Sequence, residues 1–66
     1  MTVLIAGTVD IAAPGRDRAL AESAELQAQT REQQGCLHYV WSADPASQTR
    51  VYVYENWACT DDLAAH

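Results

Sequence analysis

CLHYVWSADPASQTRVYVYENW, residues 36–57, is the stretch from which the fold of this 66-residue chain is read. It holds two runs rich in β-branched and aromatic residues, Cys36 to Ser42 and Arg50 to Trp57, the side-chain types that suit a pleated, half-buried surface. Between them Asp44-Pro45-Ala46-Ser47 carries turn chemistry, with a carboxylate able to hydrogen-bond its own backbone two residues on and a proline of fixed φ. A β-hairpin follows. Strand alternation sets Leu37, Tyr39 and Trp41 on one face of its first arm and Cys36, His38 and Val40 on the other. The second arm sets Val51, Val53, Glu55 and Trp57 against Tyr52, Tyr54 and Asn56. Glu55 is then a carboxylate on an apolar face unless a bulge rotates it, and it needs a partner: Arg50, Arg31 or a residue of a second protomer.

Upstream of the hairpin, Arg16 to about Gln33 is a run of strong helix formers without an internal Gly or Pro. Its apolar stripe of Ala19, Leu20, Ala24 and Ala28, with Leu26 at the margin, predicts close packing of that face onto a sheet. Gly35 supplies a left-handed residue where the helix stops. Further upstream, Thr2 to Ile11 reads as a strand, with Val3, Ile5, Val9 and Ile11 on one face and the weakly apolar Leu4, Ala6 and Thr8 on the other. A strand apolar on both sides predicts cover on both sides. Downstream of the hairpin, Thr60 is the predicted N-cap of a second helix, Asp61 and Asp62 suit its positive end, and Leu63-Ala64-Ala65 continue it.

The order β-α-β-β-α is an α+β, ferredoxin-like plan with its final strand missing. In the complete plan the fourth strand covers the first, so the first strand is expected to form an open edge. Residues 1–66 accordingly read as a single, truncated domain.

Apolar residues make up 48% of the chain and charged residues 20%, which is a globular composition. Four arginines and no lysine face nine acidic residues for a net charge of −5, so no basic surface is available for phosphates and nucleic acid is excluded as a partner. The apolar N-terminal run has no basic n-region, is interrupted by Gly7 and Asp10, and is too short to span a bilayer. No membrane partner and a cytoplasmic location are expected. Cys36 and Cys59 are isolated and read as two reduced thiols, and neither a CxxC pair nor any other spacing defines a metal site. No Gly-rich phosphate loop or Ser-His-Asp arrangement is present.

The blocks Gly35-Cys36-Leu37-His38-Tyr39, Asp44-Pro45, Tyr54-Glu55-Asn56-Trp57 and Leu63-Ala64-Ala65-His66, with Pro14-Gly15 ahead of the first helix, resemble the antibiotic-biosynthesis-monooxygenase family in order and spacing. The specificity lies in the ordered set, which covers the whole chain. The resemblance implies a dimeric α-β barrel: a homodimer whose sheets pack face to face while each protomer keeps a pocket between its sheet and its helices. It also implies a small aromatic ligand and, for the family's oxygenases, reaction with O2 that needs no flavin or metal, hence no cofactor. Haem-degrading enzymes, quinol oxidases and proteins of no known activity share the family, so membership does not by itself imply catalysis.

The candidate catalytic residues are His38, Trp57 and Asn56. An imidazole ordinarily titrates near neutrality, at about 6.5, which makes His38 a candidate base. Strand alternation nevertheless sets it opposite Tyr39 and Trp41, and a histidine without catalytic duty is the plainer reading. The resemblance maps Trp57 onto the family's strand-end tryptophan, a pocket-lining residue, with Asn56 beside it as a neutral hydrogen-bonding group. Plain core packing of Trp57 is the alternative. The candidate substrate-binding residues are Tyr39, Tyr52, Tyr54 and His66. Tyr52 and Tyr54 present phenols to a ligand or bury their rings against the helices, and His66 occupies the position of the family's helix histidine. The function so implied is a cofactor-independent monooxygenase acting on an aromatic polyketide or quinol. The alternatives are a non-catalytic dimeric ligand-binding or stress-associated protein and a haem-binding monooxygenase.

Overall fold

A computed structural model describes residues 2–66 of the chain. Its elements are β1 (Val3–Asp10), α1 (Gly15–Arg31), β2 (Cys36–Ala43), β3 (Arg50–Trp57) and α2 (Thr60–Ala65), in the ferredoxin-like order. The strands form one antiparallel sheet ordered β1-β3-β2, so β3 is central and β1 is an edge, as the plan without its fourth strand requires. Pairing of β1 with β3 runs unbroken from Val3 opposite Trp57 to Asp10 opposite Arg50.

The hairpin departs from simple alternation at one point. Cys36 lies opposite Trp57 and His38 opposite Asn56, so Leu37 is an extra residue in a bulge. One inserted residue reverses the face of everything before it. Cys36 therefore shares the face of Trp57 and not that of His38, which corrects the expected alternation, and Leu37 is exposed. The loop is closed by the Asp44 carboxylate, which accepts from the Ala46 N–H at 2.8 Å and the Tyr52 hydroxyl at 3.1 Å. The Arg16 guanidinium donates to the carbonyls of Asp44, Ser47 and Arg50, tying the start of α1 to the turn. The Ala46 N–H holds the Asp44 carboxyl below its ordinary range, with Tyr52, Arg50 and Arg16 adding to the shift and desolvation opposing it.

α1 lies along β2 by a different face from the one expected. Its buried residues are Ser23, Gln27 and Thr30, with Ala19 and Leu20 half-buried; Ala24 and Ala28 face solvent and Leu26 is 50% exposed. The reason lies in the backbone of β2, an edge strand whose outward groups have no strand partner. Gln27 Oε1 accepts from the Trp41 N–H at 3.2 Å, and Arg31 Nε donates to the Tyr39 carbonyl at 2.8 Å. Gln27 is itself held by Ser23 Oγ at 2.9 Å. Polar side chains complete the ladder here, and an apolar face would have left those groups unpaired.

β1 receives no such cover. All of its residues but Val3 are exposed, so the expectation that both faces would be covered fails within this chain. The buried apolar core is correspondingly small, consisting of Tyr39, Val51 and Trp57 among the described residues. Gly35 has φ 78°, and a Cβ there would overlap the Asp62 carboxylate, so both backbone conformation and space demand glycine. Just beyond β3 the Ala58 N–H bonds the Gly35 carbonyl at 2.7 Å and keeps the chain extended through Cys59. Cys59 is consequently the N-cap of α2 and Thr60 its first helical residue, so the helix starts one position earlier than the composition predicts. No helix among the described residues is long and apolar enough to cross a membrane.

Candidate functional site

The sheet has a side that carries α1 and an open side, and the candidate residues divide between them. On the helix side, Trp57 ends β3 with no exposed surface. Its indole N–H donates to Glu55 Oε1 at 3.1 Å, two residues back on the same face. Within the chain Glu55 thus has an indole as its partner and neither Arg50 nor Arg31; the ion pairs among the described residues are Arg16–Asp17, Arg18–Glu22 and Arg50–Asp10. The His66 ring packs against Trp57 at 5.0 Å between centroids and edge-on to Tyr39 at 5.4 Å. Its Nδ1 lies 2.9 Å from Gln33 Oε1. Residues from β2, β3, the end of α2 and the turn after α1 are thereby brought to one place.

The thiol of Cys36, opposite Trp57 in the register, is pushed up chiefly by burial and secondarily by the Glu55 charge, with Arg31 opposing. A thiol so placed stays protonated and is a poor nucleophile. A cavity of about 300 Å³, lined by Gln33, Gln34, Asp62 and Ala65, adjoins the Gln33–His66 pair. Beside the cluster runs the helix-side row of β1. The register sets Val3 next to Trp57, Ile5 next to Glu55 and Gly7 next to Val53, and an added Cβ at Gly7 would meet nothing within 4 Å. Val3, Ile5, Gly7 and Val9 form an apolar shelf with a gap at its centre, open above because α1 lies over β2.

The open side carries His38, Asn56, Tyr52 and Tyr54 together with Leu4, Ala6, Thr8 and Val40. His38 lies opposite Asn56, with its ring 5.9 Å from Tyr54. Tyr52 and Tyr54 are on the face away from both helices, so their rings do not bury against them as one reading had it. Asn56 Oδ1 is buried without a partner. An apolar trough of about 450 Å³ is lined by Ala6, Gly7, Thr8, Tyr52, Val53 and Tyr54. Among the described residues no three His, Cys, Asp or Glu side chains converge to hold a metal ion.

Of the seven candidates, then, Trp57, Tyr39 and His66 meet on the helix side, while His38, Asn56, Tyr52 and Tyr54 lie on the other. Two participants escaped sequence reasoning. The Glu55–Trp57 pair was open to detection, since residues two apart on a strand share a face. Gln33 was not, because nothing in the local pattern separates it from the polar residues around it.

A helix-side cluster at the end of the central strand, beside an apolar shelf, is a plan that a small-molecule site can use. A family model described as Antibiotic biosynthesis monooxygenase matches residues 2–66. The chain belongs to this family. Neither the curated proteins nor the solved structures give a match. Membership in the antibiotic biosynthesis monooxygenase family gives the chain a monooxygenase-like, small-molecule-binding fold of a kind whose domains often dimerise.

Proposed function

We propose that this chain is a cofactor-independent monooxygenase domain that oxidises a flat aromatic polyketide or quinol with O2, and that it works as a homodimer joined through the open sides of two sheets. The substrate lies on the β1 shelf with its reacting edge toward the cluster of Glu55, Trp57 and His66. His66 is the imidazole on this side of the sheet and takes the proton, since His38 stands on the other side. For an anthrone, loss of one proton from the CH2 group gives a carbanion rich enough in electrons to pass one to O2. The resulting radical pair joins at carbon to give a hydroperoxide, which loses water to leave a carbonyl. The net change is CH2 plus O2 to C=O plus H2O, with all electrons drawn from the substrate. The protein contributes orientation and proton transfer.

The observation that carries this reading is the surroundings of Trp57, in a chain whose family match covers residues 2–66. The indole is fully buried, fixed by Glu55 and packed against a histidine, an arrangement that plain core packing does not require. The test is oxygen uptake by metal-free protein against anthrones, naphthols and hydroquinones. Uptake is expected to fall on the order of 10²-fold or more in His66→Gln, as for loss of a general base, and to survive in His38→Ala. Uptake indifferent to His66→Gln contradicts the site. No uptake by a folded dimer favours a second reading, a non-catalytic ligand-binding dimer. That reading is supported by the apolar trough on the open side, whose roughly 450 Å³ is within the range of small-ligand sites.

A further inference from the structure

We infer that Gln33 is a positioning residue that sets the tautomer of His66, holding the proton on Nδ1 so that Nε2 carries the free lone pair. The inference rests on the reading of His66 as the base. Gln33 meets His66 through its amide oxygen, Oε1, which has no proton to give. At 2.9 Å the Nδ1 atom must be the donor, and a neutral imidazole with a proton on Nδ1 has none on Nε2.

Two further features support the arrangement. Both backbone groups of Gln33 are engaged, its N–H with the Thr30 carbonyl at 3.0 Å and its carbonyl with the Cys36 N–H at 3.1 Å, so the side chain leaves an anchored point. Tyr39 and Trp57 pack against the imidazole, which with the Nδ1 bond restricts where Nε2 points. The amide also carries no charge, so it orients the ring without adding one. The titratable groups nearest the ring are Tyr39, which meets it edge-on, Glu55, which holds the Trp57 indole, Cys36, opposite Trp57 in the register, and Asp62, which lines the adjoining cavity and accepts from the Cys59 thiol. A polar residue that orients a base in this way acts through tautomer selection.

The experiment is two-dimensional 1H–15N correlation of the imidazole nitrogens in histidine-labelled protein, recorded above the pH of imidazole titration, for the parent chain, Gln33→Leu and Gln33→Glu. The parent is expected to show His66 with a pyrrole-type Nδ1 and a pyridine-type Nε2. Gln33→Leu should revert to the Nε2–H form that a free histidine side chain prefers, and should lose roughly tenfold or more of kcat/KM for oxygen uptake. Gln33→Glu should keep the Nδ1–H form and move the acid limb of the kcat/KM profile to higher pH, because a carboxylate favours the imidazolium. A parent protein with the proton on Nε2, or a tautomer unchanged in Gln33→Leu, overturns the inference whatever the activity. A correct tautomer in a protein that consumes no oxygen supports the pairing and overturns the oxygenase reading instead.

Discussion

β2 and β1 are both eight-residue edge strands of the same sheet and both are largely apolar, yet the chain treats them in opposite ways. The outward backbone groups of β2 are taken up by Gln27 and Arg31, and Tyr39 on that strand is 6% exposed. On β1 no helix reaches the outer edge, and Leu4 is 60% exposed. The difference shows that an edge is finished by polar groups before it is finished by apolar ones. An unpaired ladder group costs more to bury than an exposed leucine costs to leave in water. It also separates two roles. The helix-covered side gathers fixed side chains into a site, while the open side offers apolar surface for association.

The sharpest way to break this comparison is to empty the covered side. Trp57→Ala should cost about 3–5 kcal/mol, enough to unfold so small a domain, whereas Leu4→Ala on the open side should change the stability of the monomer by no more than about 0.5 kcal/mol. Urea titration of both variants measures the contrast. Next, Gln27→Leu keeps the helix and removes the acceptor of the Trp41 N–H. It should destabilise by about 1–3 kcal/mol, and in hydrogen exchange the Trp41 amide should lose its protection while the outward amides of β1, already open, stay as they were.

Smaller effects on the folded monomer come from the open side and the hairpin loop. Leu4→Lys should leave the monomer within about 0.5 kcal/mol of its original stability but abolish the proposed dimer in light scattering, because a twofold contact sets like charges against each other. Asp44 supplies the smallest and most conditional term. Its folded-state carboxyl titrates below the ordinary value, so its contribution is fully present above about pH 3.9 and is lost as pH falls through the lowered value. Asp44→Asn should therefore be less stable than the parent at pH 7, and the gap should close in strong acid.

Much of this architecture was legible in the sequence, and what was not has identifiable physical causes. The hairpin, the helix after Pro14-Gly15 and the open first strand all follow from period and turn chemistry. The bulge at Leu37 does not, because a single unpaired residue leaves no mark in the alternation until the register is known, and it carried Cys36 to the other face. The face of α1 was misread because Ser23, Gln27 and Thr30 form a polar stripe of helical spacing, ordinarily the sign of solvent. Here that stripe serves the neighbouring strand. The meeting of His66 with Gln33, 33 residues apart, belongs to tertiary structure alone.

The central claim is that ligand chemistry belongs to the helix-covered side of the sheet. It is tested most directly by titrating an anthrone into isotope-labelled protein without oxygen and following the indole N–H of Trp57, the ring of His66 and the open-side residues Val40 and Tyr52. The account predicts that Trp57 and His66 shift in step with ligand while Val40 and Tyr52 do not. Shifts confined to Val40, Tyr52 and their open-side neighbours would contradict it.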